Sequence, residues 1–190
     1  MINPVSVLIE RTISKLKKEG RFGIKEIISE FHQDEKSSSE VKNAATSLFE
    51  AAETWGVFST GKEPGIQVKD LVKGGTTSVL DLSVYNSVGA FNVRALVISL
   101  VSKKIFNERM EARKKEEVEA IAKGGNYLSF ENKRVSPLAW LFIDEAHEFL
   151  PQKGKTAATD ALIQLLREGR QPGISLVLAT QQPGKIHTDV

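Results

Sequence analysis

Residues 140–151 read WLFIDEAHEFLP, and residues 165–183 read LLREGRQPGISLVLATQQP. The first stretch completes an uninterrupted apolar run, LAWLFI over residues 138–143, that ends on Asp144 and Glu145. The second holds another run, ISLVLA over residues 174–179, that ends on Thr180, Gln181, Gln182 and Pro183. Continuous rather than alternating apolar residues are expected of parallel strands covered on both faces. Between the runs, residues 157–168 have helical spacing with Leu162, Leu165 and Leu166 inward, Gly169 as the C-terminal cap and Pro172 beyond it. Strand, helix, strand in this order predicts a doubly wound parallel α/β sheet with right-handed crossovers and helices on both faces. Such sheets bind ligands at the carboxyl ends of their strands, where Asp144, Glu145, Thr180 and Gln181 fall.

Upstream, residues 76–82 (TTSVLDL) form a short β-prone run, and a long helix is expected over residues 92–121, with Val93, Leu96, Val97, Leu100, Val101 and Ile105 on its inner face. The helix ends in a charged run, RMEARKKEEVE over residues 109–119, read as a solvated face with a Glu111–Lys115 pair at i,i+4. Residues 124–136 are a turn-rich loop, and residues 61–75, rich in Gly and Lys, are a connector. Residues 1–60 contain three helical patterns. The first starts at Asn3-Pro4, the second carries Ile24, Ile27, Ile28 and Phe31, and the third begins at a capping box of Ser37 and Glu40. The predicted organisation is therefore a helical subdomain over residues 1–60, a connector over 61–75, and an α/β core over 76–190.

Composition narrows the function classes. The chain has 190 residues, 41% of them hydrophobic and 26% charged, and has no apolar run near the roughly 18 residues that cross a bilayer, so no membrane partner is expected. With no cysteine it has neither disulfides nor thiolate metal ligands, and with no basic segment before a long apolar stretch near Met1 a cytoplasmic location is expected. The formal net charge of +2 does not mark a nucleic-acid binder, so any DNA contact must come from local patches.

An apolar strand ending in two carboxylates suits nucleotide hydrolysis. Asp144 can hold the hydration shell of Mg²⁺ beside the phosphates, and Glu145 can orient and polarise the attacking water. A side-chain amide at the next strand end, Gln181 beside Thr180, can hydrogen-bond both a γ-phosphate oxygen and that water. Arg167 and Arg170 flank a helix C-terminus, which the helix dipole alone would favour; either can also serve as an arginine finger. His147 is given no role.

Together these segments resemble the HerA/FtsK superfamily of P-loop DNA-translocating ATPases, in which a hydrophobic strand ends in Asp-Glu, a helix closes on R-x-G-R-x-x-G, and a strand runs into A-T-Q-x-P. The sequence matches at Asp144, Glu145, Arg167, Gly169, Arg170, Gly173, Ala179, Thr180, Gln181 and Pro183. The resemblance is specific over residues 138–190; a VLDLS-type run before a long basic helix extends it weakly upstream, towards the HerA-like branch. It implies a partial RecA-like P-loop core with the Walker B strand, the sensor strand, and Arg170 as the finger completing a neighbour's site. It also implies, for the complete protein, ATP and Mg²⁺ as cofactors (Asp144 and Thr180 on the nucleotide side), DNA as the substrate track, a hexameric homo-oligomer, and a nuclease partner in DNA-end processing.

One part of the pattern is missing. A phosphate-binding loop needs G-x-x-x-x-G-K-[ST], so that glycine amides cradle the phosphates, and the chain has none. Gly154-Lys155-Thr156 imitates its end, but Phe149 stands where the first glycine belongs. The chain is therefore expected to be part of a longer ATPase and inactive alone. Two alternatives compete with this reading. Asp144-Glu145-Ala146-His147 suggests a DEAH-box helicase fragment, although the next strand lacks the Ser-Ala-Thr motif. A non-enzymatic winged-helix DNA-binding module, with residues 41–54 as recognition helix, is opposed by one Lys, Lys42, against Glu50 and Glu53.

Overall fold

The computed structural model describes residues 3–20, 22–58, 65–85, 91–122 and 136–190. They form two compact units, Met1–Gly65 and Ile66–Val190. In the first, α1 (Pro4–Glu19), α2 (Ile24–Gln33) and α3 (Ser39–Glu53) bury Leu8, Leu16, Ile27, Phe31 and Ala45, and the Phe31 and Phe49 rings meet edge to face at 5.3 Å. Asn3 caps α1 through a hydrogen bond from the Val5 amide, as its place before Pro4 predicts. At α3 the cap is Ser38, whose hydroxyl accepts from the Val41 amide, and not Ser37, whose hydroxyl accepts from Arg11 instead. The segment that would form the wing of a winged helix lies partly outside the described residues, and its described flanks contain no strand.

The second unit is a partial α/β core. Strands β1 (Ala139–Ile143) and β2 (Ile174–Leu178) pair in parallel, Ala139 opposite Ile174 through Ile143 opposite Leu178. The connection between them carries α6 (Thr159–Glu168), and upstream lie α4 (Val68–Leu71), a single turn within the expected connector, and α5 (Phe91–Ala122). Ala95, Ile98, Ile105 and Phe106 of α5 join Leu162 and Leu165 of α6 and Ala139 and Ile143 of β1 in one core. No helix among the described residues is long and apolar enough to cross a membrane.

Three expectations are revised. Among the described residues the sheet is covered on one face: Trp140 and Phe142, pointing away from the core by the two-residue period of the strand, are 67% and 69% exposed and stack on each other with centroids 6.2 Å apart. Residues 76–82 pair with no strand among the described residues, and the segment ends in a turn, with the Asp81 carboxylate accepting from the Ser83 amide. In α5, Leu100 is exposed, and the i,i+4 ion pair in its charged run joins Arg113 to Glu117 rather than Glu111 to Lys115. Arg109, at the start of that run, is 2% exposed and faces inward. Most of the expected loop over residues 124–136 lies outside the described residues.

Candidate active site

The carboxyl ends of both strands converge through a distortion of the ladder. The Ala179 amide donates to the Ile143 carbonyl at 2.9 Å, and the Ala179 carbonyl accepts from the Ala146 amide at 2.9 Å. Asp144 and Glu145 together therefore oppose a single residue, which is a β-bulge. The extra residue is accommodated by Glu145, at φ 47° and ψ 44°, which is alone among the described non-glycine residues in having a positive φ. A non-glycine side chain in this region costs about 1–3 kcal/mol and is retained where the surroundings impose it. Here Asp144 Oδ1 accepts from the Glu145 amide at 2.9 Å, and the ladder resumes at Ala146, which is fully buried.

The bulge aims Glu145 at the other strand. Glu145 Oε1 accepts from Gln181 Nε2 at 2.8 Å. Its other oxygen, Oε2, is buried without a hydrogen bond; His147 Nδ1 lies 3.4 Å from it but is closer, at 2.9 Å, to Thr180 Oγ1. The shorter contact carries the hydrogen bond, and the longer one is an electrostatic approach. His147 Nε2 lies 3.1 Å from the side-chain amide nitrogen of Gln182, whose backbone amide donates to Thr180 Oγ1 at 3.0 Å. The two contacts tie the imidazole to both Thr180 and Gln182 whichever ring nitrogen carries the proton. The turn is also held from outside by Arg94 of α5, 3.3 Å from Glu148.

The structure thus brings Glu145, Gln181 and Thr180 together and places Asp144 exposed beside them. It also adds His147, which sequence reasoning left aside; the available signal was its position two residues after Glu145, on the turn that re-enters the fold. Arg170 is not in this cluster. It follows α6, in the turn that leads into the amino end of β2. The five-residue strands separate it from the carboxyl edge by about 16 Å, at roughly 3.3 Å per residue. Arg167 is tied to Asp189, whereas the exposed Arg170 guanidinium makes no ion pair among the described residues.

Gly154-Lys155-Thr156 is occupied in leading into α6. Lys155 pairs with Asp160 at 2.8 Å, and that contact holds the Asp160 carboxyl below its ordinary range. The Thr156 hydroxyl donates to the Phe149 carbonyl at 2.8 Å and accepts from the Ala158 amide. This is a structural cap and not a phosphate cradle.

The donor set at the carboxyl edge fits one side of a magnesium-nucleotide site. An exposed Asp144 carboxylate suits the outer sphere of a hard cation, and the Glu145 carboxylate lies beside it. Nothing among the described residues fits the phosphate side.

A family model described as Zonular occludens toxin (Zot) matches residues 81–190. A probable DNA double-strand break repair helicase HerA of Methanocaldococcus jannaschii is 34% identical over 76 residues, 40% of this chain and 15% of that protein. The DNA double-strand break repair helicase HerA of Pyrococcus furiosus is 28% identical over 129 residues, 63% of this chain and 23% of that protein. The chain thus spans less than a quarter of the length of these relatives. Because the family match covers more than half of the chain and includes both strand ends and the turn between them, the chain belongs to the Zot family, within the HerA/FtsK-type superfamily of P-loop ATPases.

Proposed function

We propose that this chain supplies the Walker B turn, the sensor strand and the arginine finger of an ATP-hydrolysing DNA translocase or helicase of HerA type. The observation that carries the reading is the 2.8 Å hydrogen bond from Gln181 to Glu145, which joins the two strand ends at the bulge. Bound Mg-ATP supplies the phosphoryl group and the cation that neutralises its charge. Asp144 orients the hydrated cation. Glu145 orients the attacking water and accepts its proton. Gln181 keeps the Glu145 carboxylate on that line and reports on the γ-phosphate through the same amide, and Thr180 holds Gln182 and His147 in place from the nucleotide side of the strand.

In the complete protein, a phosphate-binding loop outside this chain holds the nucleotide. The protein assembles as a homo-hexamer in the cytoplasm, moves along DNA and works with a nuclease in DNA-end processing; the two DNA double-strand break repair helicases similar to the chain support the DNA-repair helicase part of this reading. Arg170, too far from its own Glu145 to serve it, completes the site of the neighbouring subunit.

The test separates the two carboxylates. In the complete protein, Glu145→Gln should leave nucleotide binding intact and lower kcat by about 10²- to 10⁴-fold, because the amide fills the same space without accepting a proton. Asp144→Asn should instead weaken the magnesium-dependent part of nucleotide binding. Near-normal turnover by Glu145→Gln would remove Glu145 from the role of base.

A further inference from the structure

Arg109 is a buried cation in a run of charge. Its neighbours Glu108, Glu111 and Lys114 are exposed, whereas Arg109 is 2% exposed. Burying a guanidinium is costly unless its donors are satisfied. Arg109 Nε donates to the Pro172 carbonyl at 2.8 Å, and Nη1 donates to the Ser136 carbonyl at 2.6 Å, with Glu116 at 3.3 Å closing the charge balance. The two carbonyls belong to segments 27 and 63 residues away in sequence, the lead-in to β1 and the turn after α6. One planar fork thus fixes both against α5, which the point charge of a lysine cannot do.

The turn that Arg109 grips is the one that carries Arg170. It is tightly determined: the Gly173 amide donates to the Arg170 carbonyl at 3.2 Å, and the Ile174 amide donates to the Gly169 carbonyl at 2.7 Å. A side chain at Gly169 would lie 2.4 Å from the Leu165 carbonyl oxygen and 3.1 Å from that of Ile174, so the turn closes only on glycine. Arg170 itself points a guanidinium into solvent from this rigid base. A charge that acts on a separate molecule gains most when its backbone is already in place, because no reorganisation is then needed as charge develops.

We propose that Arg109 is a positioning residue that holds the Arg170 turn in the geometry needed to reach a neighbouring subunit's γ-phosphate. This rests on the reading of Arg170 as the finger. In the complete protein, Arg109→Lys and Arg109→Gln each keep one donor and lose the fork. Both should lower kcat for ATP hydrolysis about 10- to 100-fold with KM for ATP unchanged, the scale expected of a misplacement near 1 Å. Hydrogen exchange at the Gly173 and Ile174 amides should quicken while that at Ala146 and Ala179 stays as it was.

The deciding measurement is the double variant. If Arg109 acts only through Arg170, adding Arg109→Lys to Arg170→Ala lowers kcat no further. A further loss equal to that of Arg109→Lys alone would overturn the proposal while leaving Arg170 as the finger. Full activity in Arg170→Ala alone would overturn the finger reading and this inference with it. Failure of both Arg109 variants to fold would assign the residue to stability and overturn the positioning role.

Discussion

The two edges of the small sheet solve opposite problems. At the carboxyl edge, polar side chains satisfy one another: Glu145 with Gln181, His147 with Thr180 and Gln182, Arg94 with Glu148. At the amino edge, the exposed Arg170 has no ion partner among the described residues, and the backbone beneath it is fixed through Arg109 and the close-packed glycines. One helix serves both edges. Arg94 and Arg109 lie 15 residues apart on α5 (109 minus 94), about 22 Å of helix at 1.5 Å per residue. The contrast teaches where each edge acts. On the proposed reading, groups bonded among themselves serve a ligand held against this chain, whereas Arg170, with no ion pair among the described residues, serves a target brought by another molecule.

The sharpest way to break that comparison is to mix subunits. Arg170→Ala in the complete protein should leave nucleotide affinity nearly intact and cut hydrolysis by about 10³-fold or more, the scale of arginine fingers supplied in trans. An Arg170→Ala protein mixed with a Glu145→Gln protein should recover part of the turnover, because some interfaces then pair an intact base with an intact finger. If subunits exchange and no turnover returns, Arg170 does not act between subunits.

The elements of this comparison were legible in unequal measure. The two strands and α6 could be read directly, because apolar runs bounded by carboxylates, Gly and Pro leave few alternatives for chain direction. That Asp144, Glu145, Thr180 and Gln181 share one edge of the sheet followed from their places at strand ends. The bulge did not, since it depends on which residue of β2 faces which of β1, a matter of one residue in register. Arg109 was hidden for a related reason: its spacing is that of a solvated run, and its burial is decided by two carbonyls far along the chain. The capping-box rule favoured Ser37, which has Glu40 three residues on, yet the hydroxyl that meets the Val41 amide is that of Ser38. The aromatic face of β1 was read as covered because its residues are apolar, yet Trp140 and Phe142 have no helix over them among the described residues.

A second, smaller effect separates strain from crowding at the two edges. Gly173, at the amino edge, has φ +83°, and a side chain there would meet Leu138 Cδ2 at 2.3 Å; Gly154, in the loop leading to α6, has φ +82° and open space around it. Gly154→Ala should therefore cost only the left-handed backbone, about 1–2 kcal/mol. Gly173→Ala should cost the same plus the displacement of Leu138, for a total of about 1–3 kcal/mol, since the half-exposed leucine can swing aside. Equal losses in denaturant unfolding would mean that the amino edge is no more tightly packed than an ordinary loop.

The smallest expected effect lies at the carboxyl edge. His147 is given no role in holding the water or the cation; it approaches Glu145 Oε2 at 3.4 Å and hydrogen-bonds Thr180 and Gln182. Removing it deletes one tether between the turn after β1 and the end of β2, while the Gln181–Glu145 bond and the Gln182 amide to Thr180 remain. A lost hydrogen bond of this kind is worth about 1 kcal/mol, so His147→Ala in the complete protein should lower kcat by roughly fivefold with KM for ATP unchanged. His147→Gln, which retains an amide donor towards Thr180, should lose less. A drop in His147→Ala as deep as that of Glu145→Gln would move the histidine from the support of the site into its chemistry, and the carboxyl edge would then depend on the imidazole as well as on the carboxylate.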